Sequence, residues 1–190
     1  MAAIAVRLER SHRALQFAPV WRTRDLSDAD RVPGLWPHDF LIVRRGPGIA
    51  GAVALWDQSA FKQTVVRGYR GALAGLRPAV NAFAPLVGLP SLPRPGEPLR
   101  QVYLSHLAVE DDDPALFRSL LAAALAEAHR RKFGLALLGL ASRHPLAAVL
   151  ADSFRHREYR ALLHLVHWDD GRSAVETLQP RIPHVEIAVL

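Results

Sequence analysis

The chain has 190 residues, half of them apolar and 22% charged, which fits one domain around one core and excludes a disordered chain. It has no cysteine, so disulfides and thiolate chemistry are excluded, and a reducing compartment, the cytoplasm, is the expected location. The formal charge of +6 rests on scattered arginines, with only Lys62 and Lys132 as lysines. No basic run interleaved with aromatics marks a nucleic-acid surface.

Residues 1–10 hold Arg7 and Arg10 inside their apolar run, unlike a secretory signal. No stretch reaches the roughly 20 apolar residues of a membrane span, so no membrane partner is expected. Residues 1–38 offer a short helix up to Gln16, then Pro19, Pro33, Gly34 and Pro37 among charges, and read as an N-terminal arm or reduced lead-in rather than a core element. The domain proper is expected over residues 39–190.

Residues 40–45 and 49–56 are apolar runs joined by Arg45-Gly46-Pro47-Gly48, a β-hairpin pattern. A third strand is expected over residues 61–69, where Thr64, Val65 and Val66 are β-branched. Residues 70–99 form a Pro/Gly-rich insertion in which no more than broken helical turns are expected. It reads either as a lid or pocket wall, or as a packed cover over the sheet.

Residues 102–109 read as a strand. Asp113-Pro114 then supplies an N-cap carboxylate and a proline at the first helical position. Leu116, Phe117, Leu120, Leu121, Ala124, Leu125 and Ala128 recur three and four apart along one helix face. Gly134 ends that helix, and residues 135–141 are apolar enough for a strand buried on both faces. Strand, helix and strand predict a parallel crossover. A shorter helix starts at Pro145, a strand covers residues 159–168, and residues 184–190 alternate like an antiparallel return strand. The expected fold class is α/β with a mixed sheet, its one parallel pair in the middle.

This order of elements resembles the GCN5-related N-acetyltransferase (GNAT) family. The residues that carry the resemblance are Tyr103-Leu104-Ser105-His106-Leu107-Ala108-Val109, the helix from Pro114, residues 135–141, and Ser153-Phe154 ahead of Tyr159. Residues 54–58 and 61–64 also look like bacterial proteins in which such a domain is the later part of a longer chain. The resemblance implies an acyl-CoA N-acyltransferase fold with a reduced N-terminal part. It also implies that acetyl-CoA or another acyl-CoA lies between the two parallel strands and gives its acyl group to an amine.

On this resemblance Leu107 and Val109 would pair with the pantetheine. The amides of Ala115, Leu116 and Phe117, with Arg118, would meet the pyrophosphate, where a helix N-terminus favours an anion. The corresponding turn here, Glu110-Asp111-Asp112-Asp113-Pro114, keeps the helix start and has no glycine. The family's acid is often a tyrosine of the last helix, and residues 145–153 contain none. A non-catalytic module that binds a ligand, a partner GNAT-like domain or a second copy therefore stands beside the enzyme.

His106 is the candidate base, since an imidazole accepts a proton near neutral pH; a strand histidine hydrogen-bonded within the core is the other reading. Trp56, Asp57 and Lys62 are the candidate substrate-facing cluster, or else a strand end with solvated charges. His164 and His167 lie three apart on an expected strand, face opposite sides and share no metal. No metal site is expected.

Overall fold

The computed structural model describes the chain from Met1 to Leu190, the side chain of Pro85 excepted. The elements in order are α1 (Ala2–His12), β1 (Leu15–Gln16), β2 (Phe40–Arg45), β3 (Gly48–Trp56), α2 (Ala72–Phe83) and β4 (Gln101–Val109). They continue with α3 (Pro114–Arg130), β5 (Leu135–Leu137), α4 (Pro145–Ser153), α5 (Arg172–Glu176) and β6 (Ile182–Pro183). The class is mixed α/β. A four-stranded sheet has the order β2-β3-β4-β5, antiparallel except for the parallel pair β4 and β5, and β1 pairs with β6 in a separate parallel ribbon.

The hairpin of β2 and β3 turns at Gly46, whose φ of 58° suits glycine. On one face of the sheet α3 and α4 bury Leu116, Phe117, Leu120, Leu121 and Leu146 against Val53, Leu55, Val102 and Leu104. On the other, α1 and the segment after it bury Leu8, Trp21, Leu26, Val32 and Leu35 against Ala52, Trp56, Tyr103 and Ala108. The expected lead-in therefore belongs to the core. Its apolar residues fall on the helical spacing Ile4, Ala5, Leu8, and the sheet would otherwise leave one face bare.

Strand β4 carries a bulge. Ala52 stands opposite Ala108 and Ala54 opposite Ser105, so Val53 faces two residues, His106 and Leu107. His106 takes the left-handed conformation there, with φ of 54°. Pairing with β5 covers only Gln101 to Tyr103 against Leu135 to Leu137 and stops short of the bulge. Beyond it β4 runs on to Val109 paired with β3 on one side and with no strand on the other.

Several expectations differ from what is observed. Residues 61–69 form no sheet strand; they make a neck with the end of the insertion through Val65 and Pro98, because the backbone of Thr64 and Val66 bonds Leu99, Gly96 and Glu97. The insertion holds a continuous helix, α2, across Pro78. Residues 135–141 give three strand residues rather than seven, and Leu135 is 42% exposed because β5 is the sheet's edge, not its middle. Residues 159–168 lack strand structure and are exposed, since so short an edge offers few backbone partners. Residues 184–190 end in a helical turn, Ile187–Val189, instead of a return strand.

Candidate ligand gap and its surroundings

Where β4 and β5 part, the backbone of β4 is the natural docking edge for an extended ligand. The chain's own groups occupy it. The His106 amide donates to Glu186 Oε2 at 2.9 Å, the Ser11 hydroxyl donates to the Val109 carbonyl at 3.3 Å, and His12 Nε2 lies 3.4 Å from the Leu107 carbonyl oxygen. The space left among Ser11, His12, Leu107, Asp112, His144 and His184 is about 20 Å³. That is room for about one water molecule.

The C-terminal segment is anchored over the same strand. Gln58 Nε2 donates to the Ala188 carbonyl at 2.7 Å, and Lys62 Nζ donates to the Leu190 carbonyl. Gly139 permits the close approach: a Cβ there would stand 2.6 Å from Ile187 Cγ2. Glu186 is buried, which pushes its carboxyl up from the ordinary range against the opposing bonds from the His106 and Ala188 amides.

The acidic turn Glu110–Asp112 places Asp111 and Asp112 at φ of 52° and 50°, a conformation aspartate tolerates. Asp113 then caps α3, its Oδ1 accepting from the Ala115 amide at 2.8 Å and the Leu116 amide at 3.2 Å, while the Phe117 amide donates to the Asp113 carbonyl. The Leu116 and Ala115 amides, and then Arg45, hold the Asp113 carboxyl below its ordinary range. Arg7 reaches Glu110 at 3.0 Å, and Arg45 bridges Glu110 and Asp113 at 3.3 and 3.4 Å. The amides expected to meet a pyrophosphate thus already have a carboxylate or carbonyl. Leu116 and Phe117 are core side chains, Ala115 is exposed, and Arg118 stands exposed on the helix surface.

His106 is fully buried. Its ring packs 4.3 Å from Trp21, 5.6 Å from Phe40 and 5.8 Å from Trp56, and its Nδ1 sits 2.8 Å from Ser105 Oγ. Burial, and after it the nearby His12, push its pKa down to about 3. The ring is held neutral and shielded, so it is a core histidine rather than a base presented to an amine. The residues of the expected substrate cluster lie near one another, and each has a partner within the chain. Trp56 is buried and donates from Nε1 to the Pro33 carbonyl, Asp57 accepts from the Ser59 amide, and Lys62 lies 5.0 Å over the Tyr103 ring.

What the sequence does not reveal is a histidine cluster from distant positions. His12 and His184 stand 5.2 Å apart, and His144 caps α4 through Leu146 while lying 3.9 Å from Asp112. Burial, then His12 and His144, push His184 down to about 4. Burial likewise lowers His12 and His144. Positions 12, 144 and 184 share no spacing, so only the fold brings them together.

No protein-family model matches the chain, and no curated protein matches it. Among solved structures it is similar to an aminoglycoside acetyltransferase, meta-AAC0020, from an uncultured soil metagenomic sample, crystallised in complex with trehalose. The identity is 12% and the TM-score 0.45, over 86% of each chain. The likeness is one of coarse arrangement, and no residue's role is carried over from it. No helix among the described residues is long and apolar enough to cross a membrane.

Proposed function

We propose that this chain is a GNAT-like module that acts by recognition, of a ligand or a partner domain, and not by acyl transfer. The observation that supports the reading is the occupied edge of β4, with the His106 amide and the Leu107 and Val109 carbonyls all satisfied from within and about 20 Å³ left in the gap. The capped amides of Ala115 and Leu116 point the same way. Residues 1–38 and 39–190 then act as one unit, because α1 supplies two of the groups that close the gap.

Calorimetric titration of the full chain with acetyl-CoA tests it. The expected result is no saturable heat and no thermal shift at millimolar ligand; saturable binding overturns the reading.

A second reading is favoured by the divergence of β4 from β5. In it the chain is an N-acyltransferase: an unprotonated amine attacks the thioester carbonyl of an acyl-CoA, the acyl carbon passes to nitrogen, and CoA leaves as the thiol. Positioning would supply much of the rate. His106 is not its base. Removal of residues 186–190 together with Asp113→Ala would then raise acetyl-CoA affinity, whereas under the first reading the doubly altered chain stays inert.

A further inference from the structure

The insertion between β3 and β4 is built with its apolar side out. Its neck is fixed by backbone bonds from Val66 to Glu97, Gly96 to Val66 and Leu99 to Thr64. Above the neck, Tyr69 donates to the Pro93 carbonyl, and Asn81 both donates to and accepts from the backbone of Leu92 at 2.9 and 2.7 Å. Arg77 adds a bond to the same carbonyl at 3.3 Å. The polar side chains of α2 thus hold the arm together. On the adjoining face Leu73, Leu76 and Phe83 stand in solvent, and α2 has no buried residue at all. Leu86, Val87 and Leu89 extend the exposed apolar surface beyond the helix, with Leu86 80% exposed.

The charge of this arm has one sign. Between Asp57 and Glu97 there is no aspartate or glutamate, while Lys62, Arg67, Arg70, Arg77 and Arg94 all fall there. Arg67, Arg70 and Arg94 are exposed, and none of the five forms a salt bridge among the described residues. A surface helix ordinarily turns such leucines and phenylalanines toward its own core. An arm with an exposed apolar face, whose own charged side chains are all cations and whose nearest carboxylate is Glu97 at the neck on the Arg94 amide, matches an interface with apolar material beneath a negatively charged surface.

We infer that the arm of residues 66–96 docks on an anionic lipid bilayer, with Leu73, Leu76, Phe83 and Leu86 entering the interface and Arg67, Arg70 and Arg94 meeting the headgroups. The expectation of no membrane partner rests on the missing span, and a helix lying in the interface needs none. The inference concerns a different surface from the gap beside β4 and holds whether or not that gap takes acyl-CoA. A protein partner would need an acidic surface around an apolar groove. A second copy of this chain offers the same cations, which repel.

The test is co-sedimentation of the full chain with vesicles of phosphatidylcholine alone and with about 30% phosphatidylserine at low salt. Binding is expected to the anionic vesicles and to weaken at least about tenfold in the neutral ones or at high salt. Leu76→Glu with Phe83→Glu, and separately Arg67→Glu with Arg70→Glu, should each weaken it at least about tenfold with the thermal midpoint unchanged, since these side chains are exposed. No binding, or equal binding to both vesicles, overturns the inference. So does a chain that dimerises through this face, with Leu76→Glu giving monomers and vesicle binding unaffected.

Discussion

His106 combines two unfavourable features, a left-handed backbone and a buried imidazole, and the packing around it offsets both. Trp21, Phe40 and Trp56 enclose the ring, so His106→Ala should leave a void and lower stability by about 2–4 kcal/mol, read from urea denaturation. From the sequence this position has two meanings, base or core. Deciding between them needs Trp21, which lies far away in the chain and reaches the ring only when the segment after α1 folds over the sheet. The same burial sets a pH dependence. His106 and His184 have folded pKa values of about 3 and about 4, below the ordinary 6.5, so the unfolded chain takes up protons first as pH falls. Their contribution is complete above about pH 6.5 and declines below it, by on the order of 1–2 kcal/mol per histidine between pH 7 and 5. Glu186, raised by burial, acts oppositely, losing stability as pH rises above its ordinary 4.5. Urea midpoints at pH 7 and 5 should show the histidines prevailing, with the chain weaker at pH 5.

Elements whose signals are local are the ones legible in the sequence. Helix α3 has its cap, its first proline and its apolar spacing within one stretch, and it forms where expected; so do α4 and the hairpin of β2 and β3. Asp113→Ala should cost α3 about 1 kcal/mol, measured by chemical denaturation. Strands at the sheet's edge are less legible than β4, because their pairing depends on a distant partner. Residues 159–168 have the composition of a strand, and β5, with three residues, is too short to receive it. The seat of the C-terminal segment depends on one such distant meeting, Gly139 beneath Ile187. Gly139→Ala should force Ile187 outward and lower stability by about 1–3 kcal/mol, and Ile187→Ala in the same chain should restore most of that loss. A double-mutant cycle on thermal unfolding measures the coupling, and additive effects would mean that the tail does not rest on Gly139.

At the scale of the whole molecule, stability is unevenly spread. The sheet with α1, α3 and α4 holds the buried side chains, whereas residues 155–170 are exposed and carry Tyr159, Leu162, Val166 and Trp168 largely in solvent, Tyr159 at 93%. This unevenness is not visible in composition, because residues 159–168 within the stretch are as apolar as the core strands; what they lack is a partner. Arg155, Arg157 and Arg160 lie in it without helix or strand bonds, while Arg118 and Arg130 sit in α3, where cleavage requires unwinding a packed helix. Brief trypsin treatment should therefore cut at Arg155, Arg157 or Arg160, as well as at the equally exposed Arg67 and Arg70 of the arm, the first group leaving a fragment that ends just after α4. The C-terminal piece should stay attached after the cut, because Glu186, Ala188 and Leu190 are held by His106, Gln58 and Lys62. Size-exclusion chromatography of the nicked chain, followed by mass spectrometry of the peak, checks both halves of this. Co-elution of the two pieces is the expected outcome, and release of the tail would show that the edge of β4 is open once the connection is severed.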